Sequence, residues 1–185
     1  MKDIVFTPNG VVLIPENVLT SLGNGSELAA LLSYGISSTI QNQFFRLWSI
    51  TTYALGVNLR TMSNNDMKLC AFVTRLNEQI LRLGIRQMFL AGYDIREAPF
   101  AWAVAQGKAV ANPVINSKHP DKEIPWYAAY AFNYISQHYK AVDYSKLKRG
   151  RAEYQQFLHE LYEADPSLPQ AKASDQAHAS APAMQ

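Results

Sequence analysis

The feature that most constrains this chain is an apolar stripe, Leu69, Val73, Leu76, Ile80 and Leu83, with successive spacings of 4, 3, 4 and 3. A strand, with its period of two, would scatter these side chains over both faces, whereas a helix gathers them on one. The polar run Ser63-Asn64-Asn65-Asp66 offers a start. The spacing predicts one long helix running toward Tyr93, with Gly84 as its weak point. Such a stripe has to be covered, so the rest of the chain must supply partners.

Those partners read as further helices. Glu16 to Leu22 makes a short helix stopped at Gly23. Ser26 can cap the next, with Glu27 in the first turn, where the helix dipole favours negative charge. Leu28, Leu31, Leu32, Ile36 and Ile40 continue at helical spacing, with a break expected near Gly35, and Phe44, Leu47, Trp48 and Leu55 carry apolar material to Gly56. Residues 107–123, with Gly107, Pro113, Asn116, His119 and Pro120, read as loop. Pro125 suits the first turn of an aromatic helix ending near Lys140. A last amphipathic helix carries Tyr154, Phe157, Leu158 and Leu161 and must end before Pro166.

Upstream, Ile4-Val5-Phe6 and Val11-Val12-Leu13-Ile14 flank Thr7-Pro8-Asn9-Gly10, two short extended runs about a turn. An isolated hairpin is marginal in water, so this apolar arm needs its own domain or a neighbouring copy to lie on. The expected fold is all-α. A compact helical core spans 24–164, an extended or hairpin arm spans 1–23, and a flexible tail of Ala, Ser, Gln and Pro spans 165–185.

Composition narrows the function classes. At 48% hydrophobic the 185 residues can bury a sizeable core, and 17% charged residues fall below the roughly 25% usual for soluble domains. Part of the surface is therefore expected to meet other chains. The single cysteine, Cys70, cannot pair within the chain and reads as a small core residue. No segment has a signal-peptide pattern, and the longest uncharged stretch, Leu28 to Phe45, is too polar for a membrane span. Charge is unevenly placed. Residues 46–151 hold fifteen Lys and Arg against seven Asp and Glu, a net +8, between flanks of −2 and −4. A basic middle points to a polyanion or an acidic partner surface.

Enzymatic chemistry is not expected. Gly23-Asn24-Gly25 lacks the third glycine and the strand of a phosphate loop. His119, His138, His159 and His178 have neither metal-site spacing nor cysteine partners. Ser145 and Lys148 share S-x-x-K spacing without its companion motifs. The acidic pairs Asp94/Glu97 and Asp121/Glu123 read as solvated charges. No catalytic residue, cofactor, metal or small-molecule substrate is expected.

Binding chemistry is easier to find. Lys68, Arg75, Arg82 and Arg86, spaced 7, 7 and 4, fall within a narrow arc of the long helix and form a row about 27 Å long. Such a row suits successive phosphates; it also suits a solvated face, since Glu78 can pair with Arg75 and Arg82. Lys146, Lys148, Arg149 and Arg151 form a second cluster, either a further basic footprint or a solvated hinge. On the aromatic helix Tyr127, Tyr130 and Tyr134 share one face, and Ala128, Phe132, Ile135 and Tyr139 another. Asn133, set in that apolar company, calls for a hydrogen-bond partner, and arginine is the obvious candidate.

Several of these segments resemble the coat proteins of flexible filamentous plant viruses of the potexvirus and potyvirus type. Tyr130-Ala131-Phe132-Asn133-Tyr134, after Ala128-Ala129, is similar to the family's aromatic-Ala-Phe-Asp-aromatic motif. Ile85-Arg86-Gln87-Met88 resembles its upstream Phe-Arg-Gln-Ile element. Leu47-Trp48 followed by Gly56-Val57-Asn58 resembles a Trp element leading into a Gly-x-Ser turn, and Pro99 with Trp102 resembles a segment of the potexvirus branch. These motifs cover about residues 47–140. The resemblance implies a helical core with arms that engage neighbouring subunits, polymerising around single-stranded RNA. By motif it implies Arg86, Asn133 and Asn58 at the RNA groove, with Arg82, Arg75 and Lys68 adding positive charge. Two departures stand out. Asn133 replaces the family's Asp, and Asn58 its Ser, so the groove would keep its hydrogen bonding and gain positive charge.

The expected function is therefore a viral coat protein binding genomic RNA independently of sequence, located in the virion and in host cytoplasm during assembly. Its partners would be single-stranded RNA and copies of itself, with no membrane. A non-viral helical nucleic-acid-binding accessory subunit of a nucleoprotein complex and a protein-binding adaptor are the other readings, with an enzyme last.

Overall fold

Seven helices and one two-stranded hairpin make up the described residues, which are 4–49, 67–106 and 125–166 of a computed structural model. The fold is all-α, as its periodicity predicts. The expected helix start at 63–66, the loop at 107–123 and residues 167–185 of the tail lie outside the described residues.

The N-terminal run does form a hairpin. Strands β1 (Val5–Phe6) and β2 (Val12–Leu13) pair antiparallel, with Val5 opposite Leu13 and Phe6 opposite Val12. Gly10 takes φ 84° at the corner, a conformation that costs glycine little. The hairpin rests on its own domain. Ile4, Phe6 and Ile14 join the core, and the Phe6 ring lies 5.0 Å from that of Tyr34. Its seat is Gly35, where a Cβ would stand 2.5 Å from Val12 Cγ2 and 2.9 Å from Phe6 Cδ1. Gly35 thus marks a close approach. Helix α2 (Gly25–Ile40) runs through it without the expected break.

Helix α1 (Glu16–Leu19) is shorter than its predicted span; Ser21 and Leu22 continue it as turns. The cap of α2 is Asn24, whose Oδ1 accepts from the Glu27 amide at 3.0 Å. Ser26, the expected cap, sits inside the first turn and donates to the Lys148 carbonyl at 2.7 Å. Both residue types cap well, and a long-range acceptor takes the serine.

After α3 (Gln43–Ser49) comes the long helix, α4 (Met67–Leu90), unbroken at Gly84. Gly84 faces Ser33 of α2, where a Cβ would stand 3.2 Å from Ser33 Oγ. The buried face differs from the simple stripe. Leu76, Ile80, Leu81, Ile85 and Met88 are buried, whereas Leu83 is only half-buried. Residues seven apart drift by about 20° on a straight α-helix. Further along, the turn at 95–97 and α6 (Trp126–His138) add cover beside α2, and the buried face swings to meet them.

A short 3-10 turn, Ile95–Glu97, leads into α5 (Ala98–Ala105), which packs between α2 and α6. Ala101, Ala128 and Ala131 are buried at these crossings, their small side chains letting the axes approach. Helix α7 (Arg151–Ala164) closes the described chain and buries Tyr154 and Leu158. The Tyr154 hydroxyl donates to the Leu19 carbonyl.

Candidate nucleic-acid interface

Because α4 is continuous, the sequence spacing of its arginines becomes real geometry. Arg75, Arg82 and Arg86 are all exposed, within an arc of about 40° and about 16 Å of helix. Lys68 falls on the same helix with its side chain outside the described residues, and Asn58 lies outside them altogether. Glu78 pairs with Arg82 alone, at 3.6 Å. Among the described residues the Arg75 and Arg86 side chains make no hydrogen bond or ion pair; the Arg86 charge does reach the Tyr139 hydroxyl. Neither cation has a carboxylate partner among the described residues.

Helix α6 stands beside this row. Its core side is Ala128, Ala131 and Ile135; Tyr127 packs on Tyr34 and Trp102, and Tyr130 and Tyr134 meet α4. Arg82 Nε donates to the Tyr130 hydroxyl at 2.5 Å, and the guanidinium lies 5.8 Å and 5.6 Å from the ring centres of Tyr130 and Tyr134. Burial pushes the Tyr130 phenol above its usual range, the Arg82 charge opposing, so the hydroxyl stays neutral and accepts. The two conformationally expensive side chains hold each other in place while half of Arg82 remains open to solvent.

Asn133 departs from expectation. It is exposed on the outer side of α6, and its side chain makes no hydrogen bond among the described residues. The apolar neighbours in sequence point elsewhere around the helix, and at 100° per residue Asn133 falls nearly opposite Ile135. Arg86 and Asn133 are therefore not joined by a bond, and the tyrosine partner of Arg82 is what the sequence reading missed. The i, i+4 repeat of aromatic rings was the available signal.

The acidic pair Asp94/Glu97, expected to be solvated, is instead buried at 1% and 7% exposure. The cause is one part of the second basic cluster, the Arg149 side chain and the backbone of residues 148–150, while Lys146, Lys148 and Arg151 remain exposed. Residues 148–150 run as a clasp between the start of α2 and the turn after α4. The Lys148 amide donates to the Gly92 carbonyl at 2.9 Å, and the Asp94 amide to the Lys148 carbonyl at 3.0 Å. The first amides of α2 are satisfied the same way: Gly25 donates to Gly150 and Ser26 to Arg149. Gly150, at φ 64°, makes the bend and approaches Gly25 closely.

Charge fills the clasp. Asp94 accepts from Arg96 at 2.8 Å and 3.0 Å and from Arg149 at 3.2 Å, and Arg149 also reaches Glu97 at 3.0 Å. Burial works to raise the Asp94 pKa, and the bonds from Arg96 and Arg149 outweigh it and hold the carboxyl below its usual range. Arg96 and Lys148 further lie over the Tyr144 and Tyr93 rings, each at 4.3 Å. Glu27 is different. Fully buried, it takes the Gly23 amide at 2.8 Å and shares Asn24 Nδ2 with Glu97 at 3.0 Å and 3.1 Å. Burial pushes its pKa up to about 7; the Gly23 amide resists, and the neighbouring Glu97 adds to the rise.

Among the described residues no group of three or more His, Cys, Asp and Glu is placed to hold a metal ion, and no helix is long and apolar enough to cross a membrane. No protein-family model, curated protein or solved structure matches this chain.

Proposed function

We propose that this chain is a coat protein of the flexible filamentous type, polymerising helically around single-stranded genomic RNA in the virion and assembling in host cytoplasm. The observation that carries the reading is the exposed arginine row of α4, where Arg75 and Arg86 have no carboxylate among the described residues. A solvated helix face usually interleaves both signs of charge; here a phosphodiester chain supplies the missing one. Because phosphates are contacted and no base-edge reader stands out, binding is independent of sequence and weakens with salt.

Support for self-assembly comes from apolar surface. The hairpin leaves Val5, Val11 and Leu13 exposed on its outer side, and α2 leaves Ile36 and Ile40 exposed. A groove of about 440 Å³ between α2, α4 and α7 is lined by Leu28, Leu32, Ile36, Met88 and Phe157. In a polymer the occupant is the outer side of the 1–23 arm of the next copy, with Val5, Val11 and Leu13, which brings about 25 cal/mol for each Å² it removes from water.

A second reading has one observation in its favour: the hairpin already packs on its own α2, as it would in a stand-alone accessory subunit. Sedimentation with an absorbance ratio, followed by negative-stain microscopy, separates the two. Filaments containing nucleic acid are expected; a salt-sensitive monomer would favour the accessory subunit, and a protein indifferent to nucleic acid would end both. Arg86→Ala is expected to weaken RNA binding and lower the salt slope by about 0.7. Packaging equal to wild type would remove Arg86 from the site.

A further inference from the structure

Trp126, Tyr130, Tyr134 and His138 recur every four residues along α6, so their rings rise one above another on one side of the helix. Each successive pair is close to parallel. Trp126 and Tyr130 are 5.3 Å apart at 22°, Tyr130 and Tyr134 6.3 Å at 6°, and Tyr134 and His138 4.3 Å at 30°. The core does not require this column at its ends. Trp126 is 41% exposed, His138 is exposed, and the buried side of α6 is Ala128, Ala131 and Ile135. The Trp126 indole stacks on Tyr130 and meets Tyr127 edge-on, and about two fifths of the residue still faces water, an apolar surface that the described residues leave open.

From this we infer that the column is a stacking platform for the unpaired bases of single-stranded RNA, with Arg82 joining base contacts to phosphate contacts. The inference rests on the reading of the chain as an RNA binder and adds the part of the nucleotide that the arginine row leaves unaddressed. Every base has a π face, so stacking on Trp, Tyr and His is indifferent to sequence, and an unpaired strand has faces to offer that a duplex has already used. Arg82 belongs to both surfaces: it is bound to the Tyr130 hydroxyl, lies against two rings, and keeps half its side chain in solvent. Charge argues against a protein occupant. Covering the column would also cover Arg82, and with it the row containing Arg75 and Arg86; RNA brings the anions that make that favourable.

The test is fluorescence anisotropy of the full chain with a labelled oligouridylate and with an abasic ribose-phosphate strand of equal length. Replacing Tyr130→Leu and Tyr134→Leu together should weaken oligouridylate binding by about tenfold or more. The abasic strand should weaken less, by no more than about threefold, the cost of loosening Arg82 from its tyrosines. Tyr130→Phe, which keeps the ring and loses only the bond to Arg82, should match the leucine pair on the abasic strand while staying within about threefold of wild type on oligouridylate. Trp126→Ala, at the first residue of α6 and 41% exposed, should lose about fivefold or more on oligouridylate alone, with a wild-type unfolding midpoint in urea as its folding control. The inference is overturned if the leucine pair or Trp126→Ala binds oligouridylate normally, or if both strands weaken equally, which would make the rings mere props for Arg82. Wild-type protein that binds neither strand would instead defeat the RNA-binding reading itself.

Discussion

Arginine occupies two settings in this molecule. At the clasp, Arg96 and Arg149 close on Asp94, and Arg149 reaches Glu97 as well, all beside a buried helix start. On α4, Arg75 and Arg86 face solvent without a carboxylate among the described residues, and Arg82 leans on tyrosines with only Glu78 at 3.6 Å. The first arrangement completes its charges internally and is structural. The second leaves cations for something outside the chain. Proximity in sequence does not separate the two: Arg86 and Arg96 are ten residues apart. What separates them is whether a distant segment folds back with the opposite charge.

The sharpest way to break the contrast is Asp94→Ala. It leaves Arg96 and Arg149 without their shared carboxylate, and urea unfolding should show a loss of about 3–4 kcal/mol. Both arginines keep some solvent, which holds the loss to the lower part of the range for a broken buried pair. Unchanged stability would mean that the clasp is held by its backbone bonds alone.

A second measurement uses pH. The folded Glu27 carboxyl titrates at about 7, above its ordinary 4.5, so the native state binds more protons than the unfolded state between those values. Stability should therefore fall as pH rises from about 4.5 to above 7, by at most about 3 kcal/mol. Glu27→Gln should flatten that region of the profile. The depressed Asp94 carboxyl acts oppositely, its contribution being lost only as pH falls below about 4. A stability curve that is level from pH 5 to 8 would place Glu27 in a far wetter setting than its burial describes.

The smallest effect on folding belongs to α4. Arg82→Gln removes an ion pair half in solvent and should cost about 0–1 kcal/mol, while RNA affinity measured by anisotropy falls severalfold. A large loss of stability there would make Arg82 a structural arginine after all and erase the difference between the two settings.

Much of the fold was legible because it is local. The stepping of Leu76 and Ile80, Pro125 before an aromatic run, and Tyr154 with Leu158 before Pro166 each fix a helix from residues within a few turns. So was the arginine row, which needs nothing beyond an unbroken helix. What the sequence hid depends on distant chain. Asp94 and Glu97 look like surface charges until residues 148–150 cover them, and Ser26 looks like a cap until the Lys148 carbonyl claims its hydroxyl. Gly35 looks like a break because the hairpin that needs its missing side chain is more than twenty residues upstream. Asn133 misled in the other direction, since apolar neighbours along the chain say little about which side of a helix a residue occupies.

The clasp also carries a consequence for biosynthesis. Ser26 and the carbonyl it serves are 122 positions apart, so α2 leaves the ribosome long before the segment that satisfies its leading amides has been translated. Throughout that interval those amides, and the carboxyl of Glu27 behind them, face water. The nascent chain can wind its helices early, but the end of α2 is finished only when residues 148–150 arrive.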